Sequence, residues 1–123
     1  MRRRVFAGVA TVFTFTSALA ERAEIVGYGA TTCAQFLRDY HSDPLYERGY
    51  FAWAQGYMSA ILMTRPPGTD ERLRLTPAEF PVPSQLRFVR EFCAQHEESE
   101  YADAVLALYY RLRSATPKSD TSR

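Results

Sequence analysis

Apolar residues recur at helical spacing in four segments of the chain, and these segments predict four α-helices. The first helix is expected at residues 33–41, where Thr32 and Gln35 have the spacing of a capping box. Its apolar positions recur at i, i+3, i+4 and i+7, as Cys33, Phe36, Leu37 and Tyr40. The same period predicts three further helices, at residues 45–63, 84–95 and 99–112. The pattern therefore predicts an all-α fold.

The second predicted helix carries an aromatic stripe next to an arc of small residues. We identify six of its residues as a candidate core and packing motif: Tyr46, Tyr50, Trp53, Tyr57, Gly49 and Gly56. A helix that is apolar almost all round is expected to be buried among the others. Each glycine costs up to about 1 kcal/mol relative to alanine inside a helix. We therefore expect a neighbouring helix to approach closely here, either in the same chain or in a second copy as a homodimer.

Prolines and charged residues fill the connection between the second and third predicted helices, residues 64–83. A connection of about this length in a small domain is usually functional or mobile. Two interpretations stay open, a surface that contacts a protein partner and a solvated loop. After the third helix, Ser99 is the predicted N-cap of the fourth, with Glu100 and Asp103 favourably placed on its first turn.

The first twenty residues have the order of a secretory signal peptide. Three arginines, Arg2 to Arg4, precede an apolar run that ends in the small-residue motif at residues 18–20. The run is shorter than the roughly twenty residues that span a bilayer, so we expect no stable membrane insertion after cleavage. The predicted organisation is a signal peptide at residues 1–20, a helical domain at 21–113, and a disordered tail at 114–123. The expected location is the periplasm.

Cys33 and Cys93 are the chain's two cysteines. An exported protein folds in an oxidising compartment, where an even, minimal cysteine count indicates a structural disulfide. We therefore predict one Cys33–Cys93 bridge that joins the start of the first helix to the end of the third.

Charge and motif content argue against several function classes. Removal of the signal peptide leaves twelve basic and fourteen acidic residues, which is not the footprint of a nucleic-acid-binding protein. His41 and His96 lack the spacing of a metal site, and no catalytic constellation is visible. We expect no enzyme activity, no metal and no cofactor.

Four short motifs together resemble the HdeA/HdeB-like group of small periplasmic proteins. They are Thr32-Cys33-Ala34-Gln35-Phe36-Leu37, Trp53-Ala54-Gln55-Gly56-Tyr57, Val89-Arg90-Glu91-Phe92-Cys93 and Tyr101-Ala102-Asp103-Ala104-Val105. The resemblance spans residues 31–112. It implies an all-helical domain without a cofactor, closed by one disulfide at the positions of Cys33 and Cys93.

The best-known members of that group are acid-stress chaperones. These are dimers that dissociate at low pH and hold unfolding proteins through exposed apolar surface. The resemblance therefore implies a non-enzymatic domain that binds unfolded client proteins in acid. An alternative from a different class stays open, namely an immunity or inhibitor-type module that binds one specific protein partner at neutral pH. In that case the connection at residues 64–83 would be the natural contact surface.

Overall fold

The computed structural model describes residues 23–116, and they form a small helical domain. A 3₁₀ helix, Gly27–Ala30, comes first. Four α-helices follow: α1 (Cys33–Ser42), α2 (Tyr46–Met63), α3 (Val82–Gln95) and α4 (Tyr101–Ala115). The predicted all-α fold with four helices is confirmed. The 3₁₀ helix was not predicted, and the predicted signal peptide lies outside the described residues.

The start of α1 differs in one detail from the predicted capping box. The Thr32 hydroxyl accepts a hydrogen bond from the Gln35 backbone N–H at 3.2 Å, as expected of an N-cap. The Gln35 side chain does not complete the box, because it donates to Asp39 at 2.6 Å and accepts from Arg38 at 2.7 Å. Both partners lie on the same face of α1, one turn further along.

Helices α3 and α4 begin at residues other than the predicted ones. Helix α3 starts at Val82, two residues early, because Pro83 fits the first turn, where a backbone donor is not needed. Helix α4 is capped by Glu100 and not by Ser99, since Glu100 and Asp103 form a reciprocal capping box. This helix continues to Ala115, two residues into the segment we predicted to be disordered. Residues 117–123 lie outside the described part of the chain.

The core is formed by all four helices around the disulfide. Cys33 and Cys93 are bonded to each other, with 0% exposure each and Cα atoms 4.7 Å apart, which confirms the predicted bridge. Helix α4 contributes the largest share of fully buried side chains, among them Tyr101, Leu108 and Tyr109. Within residues 23–116, no helix is long and apolar enough to cross a membrane.

The expectation that α2 is buried all round is wrong. One face of α2 packs on the core through Tyr50, Ala54 and Met58. Its opposite face is open, with Gln55 exposed and Met63 86% exposed. Tyr46, one turn before Tyr50 at the start of the helix, is 51% exposed. Small side chains occupy much of the open face, so leaving it uncovered exposes little apolar area.

Candidate functional site

The aromatic rings of α1, α2 and α4 meet in one cluster at the centre of the domain. Tyr50 lies 4.9 Å from Phe36 and 5.0 Å from Tyr101 between ring centroids. On the next turn of α2, Trp53 stacks on Tyr57 at 5.0 Å and reaches Tyr101 at 6.3 Å. We call Tyr50, Trp53, Tyr57 and Tyr101 the ring cluster. Such pairs stabilise a fold beyond the area that they bury.

The predicted packing motif on α2 is only partly brought together. Tyr50 is fully buried, while Trp53 and Tyr57 are half-buried and pack against the core. Tyr46 lies outside it, in the exposed first turn of α2. A Cβ added to Gly56 would meet no neighbouring group of residues 23–116 within 4 Å, so none of the described helices approaches there. Homodimerisation through this small-residue face stays a prediction.

The 3₁₀ helix lies across the ring cluster, and we call Gly27–Ala30 the strap. Gly29 is buried directly against Trp53, and a Cβ at this position would overlap the indole ring. The Tyr28 ring packs against the Tyr50 ring, with centroids 4.3 Å apart and planes tilted by 34°. The same ring is the group that Gly49 approaches, with 3.0 Å between a Cβ built at Gly49 and Tyr28 Cε2. The close approach predicted at Gly49 is therefore to the strap and not to a helix.

Three carboxylates link the helices to one another, and we call Asp39, Glu47 and Asp70 the carboxylate links. The first joins α1 to α2, because Asp39 accepts a hydrogen bond from the Tyr50 hydroxyl at 2.6 Å. A bond to a charged acceptor is stronger than one between neutral groups. It therefore fixes the central tyrosine of the ring cluster.

Glu47 joins α2 to α3. Its two carboxylate oxygens accept from Arg90 Nη1 at 2.7 and 2.6 Å, and the Glu47 side chain is only 11% exposed. The Arg90 guanidinium also lies over the Tyr40 ring of α1, with Cζ 4.9 Å from the ring centroid. The sequence analysis did not identify Glu47. A carboxylate in the first turn of a largely apolar helix was the available signal.

Asp70 ties the long connection to α4. It accepts from the Tyr109 hydroxyl at 2.8 Å and from Arg113 Nε at 2.7 Å, and Arg65 Nε lies 3.2 Å away. The Asp70 side chain is 8% exposed, and its backbone has a φ of 59°, a conformation that aspartate tolerates better than most residues.

Further contacts hold the same connection in place. Leu73 is buried in the core, and the Gln85 side chain donates to the Leu75 and Phe80 carbonyls at 2.9 and 3.0 Å. These contacts argue against a loosely solvated loop. Exposed residues alternate with these anchored ones along the connection, and the longest exposed run is its tip, Pro66, Pro67 and Gly68.

Three tyrosines of the interior resist ionisation. Burial raises the pKa of Tyr50, Tyr101 and Tyr109 above the ordinary value of 10. A neighbouring carboxylate adds to the effect at each, through the hydrogen bonds that Tyr50 donates to Asp39 and Tyr109 donates to Asp70, and through the charge of Glu47 at Tyr101. All three rings are therefore neutral over a wider pH range in the folded chain than in the unfolded chain.

An alkaline titration is expected to separate these tyrosines from the others. Their folded-state pKa values lie above the unfolded one, so their contribution to stability is complete below pH 10 and is lost as the pH rises further. Each contributes a loss of up to about 1.4 kcal/mol per pH unit in that range. Absorbance of tyrosinate should show these three of the eight tyrosines ionising only together with unfolding. Titration of all eight as one class near pH 10 would contradict this, and Tyr50→Phe should remove one late-ionising group.

Besides the ring cluster and the carboxylate links, residues 23–116 contain a groove but no cluster of metal-ligating side chains. Within residues 23–116, no group of three or more histidines, cysteines or acidic residues could hold a metal ion. A groove of about 460 Å³ lies between the starts of α2 and α3, with Leu45, Phe51 and Leu86 among its walls. The ring cluster is not part of that groove. The interior of the domain is instead organised around aromatic contacts and carboxylate links.

Comparison of the chain with known protein families, with curated proteins and with solved structures finds no match. The resemblance to the HdeA/HdeB-like group therefore rests on the four sequence motifs.

Proposed function

We propose that this chain is an exported, non-enzymatic protein-binding domain that acts as an HdeA-like acid-stress chaperone in the periplasm. One observation carries the proposal: the carboxylate links Asp39, Glu47 and Asp70 join α1 to α2, α2 to α3, and the long connection to α4. Acid removes the charge of a carboxylate. The same chemical event therefore weakens three contacts between different parts of the fold.

The total charge adds to this effect. At about pH 2, the carboxyl groups of aspartate and glutamate side chains are protonated, since their reference pKa values lie near 4. The side-chain charge of residues 21–123 then changes from about −2 to about +14, with both histidines counted as charged. Repulsion of this size opposes a compact state.

The disulfide limits how far the domain can open. Cys33 at the start of α1 stays bonded to Cys93 near the end of α3, so these two helices remain tethered when the carboxylate links are lost. Helices α2 and α4 have no such tether to each other, and the ring cluster lies between them. Opening exposes apolar and aromatic surface of the kind that binds unfolded chains.

Sedimentation of acid-labile proteins tests the proposal directly. A mixture of such clients is brought to pH 2–3 with and without the purified, oxidised chain that lacks residues 1–20. We expect the chain to keep clients soluble at a near-stoichiometric ratio, and a reduced sample to fail. No effect of the oxidised chain on any client would refute the proposal.

A variant with neutralised links tests the mechanism. Asp39→Asn, Glu47→Gln and Asp70→Asn together imitate protonation, so this triple variant should protect clients at a higher pH than the wild type does. The matched control neutralises three exposed carboxylates, Glu91, Glu97 and Glu98, and removes the same charge. Equal shifts of the pH threshold in both variants would show that net charge, and not the links, controls opening.

A second candidate is an immunity or inhibitor-type module that binds one protein at neutral pH. The long connection favours it, because Asp70, Leu73 and Gln85 hold this segment in a fixed shape with an exposed tip. A preorganised loop loses little conformational entropy on binding. This candidate requires capture of one stoichiometric partner at pH 7 that is lost when the tip is shortened.

A further inference from the structure

The ring cluster is covered on one side by a very small part of the chain. The strap is a single turn of 3₁₀ helix between Val26 and Thr31, and Gly29 is its one buried residue. Tyr28 stays 40% exposed although its ring packs against Tyr50, and Val26 is 71% exposed. The cover is therefore thin, while the rings beneath it belong to the two central helices α2 and α4.

Glycine at position 29 makes this close cover possible. A Cβ there would overlap the six-membered ring of Trp53, so any other residue must displace either the strap or the indole. The indole has little room to move, because it stacks on Tyr57 at 5.0 Å and contacts Tyr101 at 6.3 Å. We expect the strap to be displaced and not the indole, because the backbone hydrogen bond that ties this segment to α4, from Tyr101 N–H to Thr31 O, lies beyond the end of the strap.

We propose that the strap covers the client-binding surface of this protein, and that the surface takes a peptide segment with an aromatic residue flanked by small ones. The inference rests on the proposed function and names its binding site. The strap itself shows this chemistry, because Gly27 and Gly29 lie close against Trp53 and the Tyr28 ring packs against Tyr50. An unfolded client segment of the same character replaces the strap when the domain opens. Aromatic surfaces of this kind contribute strongly to protein binding.

Gly29→Ala in the full exported chain tests the proposal at pH 7. The variant is expected to displace the strap while the helices stay folded by circular dichroism. Trp53 is the single tryptophan, so its emission should shift to the red and its quenching by acrylamide should increase. The variant should then suppress aggregation of a heat- or reductant-unfolded client at pH 7, where the wild type does not. Gly56→Ala is the matched control, because its new methyl group meets nothing within 4 Å.

A second variant keeps the proposal testable if Gly29→Ala does not fold. Tyr28→Ala removes the ring contact with Tyr50 without any steric overlap. It should cause a smaller red shift of Trp53 emission and weaker client protection at pH 7 than Gly29→Ala. A synthetic peptide of residues 24–31 should compete with clients for the Gly29→Ala variant. Loss of client protection in proportion to added peptide would support a binding surface that takes an aromatic residue flanked by small ones.

Two results would overturn the inference. One is a Gly29→Ala or Tyr28→Ala variant whose Trp53 becomes accessible while clients still aggregate at pH 7 as with the wild type. The other is client protection that the peptide does not reduce. Neither result touches the proposed function, which depends on whether the wild type protects clients at pH 2–3. Failure of the wild type in acid would refute the function itself.

Discussion

Removing the Cys33–Cys93 disulfide is expected to lower the free energy of unfolding by about 4 kcal/mol. The bridge joins residues 60 positions apart, and closing a loop of that length removes much conformational entropy from the unfolded chain. Natural domains have only about 5 to 15 kcal/mol of stability in total. We therefore expect the reduced domain to be largely unfolded or marginal at physiological temperature.

Denaturant unfolding of a Cys33→Ala, Cys93→Ala double variant measures this loss. Alanine avoids placing new hydroxyl groups at two sites that are 0% exposed, although it leaves a small cavity. A reductant should destabilise the wild type and leave the double variant unchanged, which separates the bridge from other effects of the reagent. A midpoint that stays within error of the wild type would contradict the role assigned to the bridge.

Asp70→Asn is expected to lower the free energy of unfolding by about 2 to 3 kcal/mol, the second largest effect. The substitution removes a charge that is 8% exposed and faces Tyr109, Arg113 and Arg65. Breaking a buried ion pair costs about 3–5 kcal/mol, and we reduce that figure because the Arg113 side chain is 41% exposed. Asparagine tolerates the φ of 59°, so backbone strain contributes little.

The natural control for Asp70→Asn is its neighbour in the same connection. Glu71 accepts from the Gly68 N–H at 2.7 Å in an exposed turn, and Glu71→Gln should cost less than about 0.5 kcal/mol. Urea unfolding of both variants, followed by tyrosine fluorescence and circular dichroism, compares them. Equal losses for the two substitutions would show that Asp70 does not anchor the connection to α4.

Local signals were sufficient to predict the four helices. Helix formation here follows from the 3.6-residue period, the Thr32 cap and the prolines around residues 44 and 83. Each of these signals acts within one or two turns, so it can be recognised from neighbouring residues alone. The disulfide was predictable for a different reason. With two cysteines in a chain that is predicted to be exported, only one intramolecular pairing exists.

The strap and the carboxylate links depend on contacts that no local pattern records. Glu47 and Arg90 are 43 residues apart, as are Asp70 and Arg113, and each carboxylate alone has the character of a surface residue. The strap has four residues, which are too few to show a periodic pattern of apolar positions. Periodicity also placed Tyr46 in the aromatic stripe, but it could not show that no neighbouring helix covers that turn of α2.

The start of α1 is tied to the turn between α3 and α4 by backbone bonds as well as by sulfur. Cys33 N–H donates to Ser99 O at 2.8 Å, Ala34 N–H to Glu97 O at 3.0 Å, and Thr32 pairs with Glu100 in an isolated antiparallel bridge. These bonds surround the one covalent crosslink of the fold. The oxidised chain therefore keeps the ends of the loop between residues 33 and 93 together even when it is unfolded, so refolding requires no search for that contact. The oxidised domain should accordingly refold faster than the reduced one.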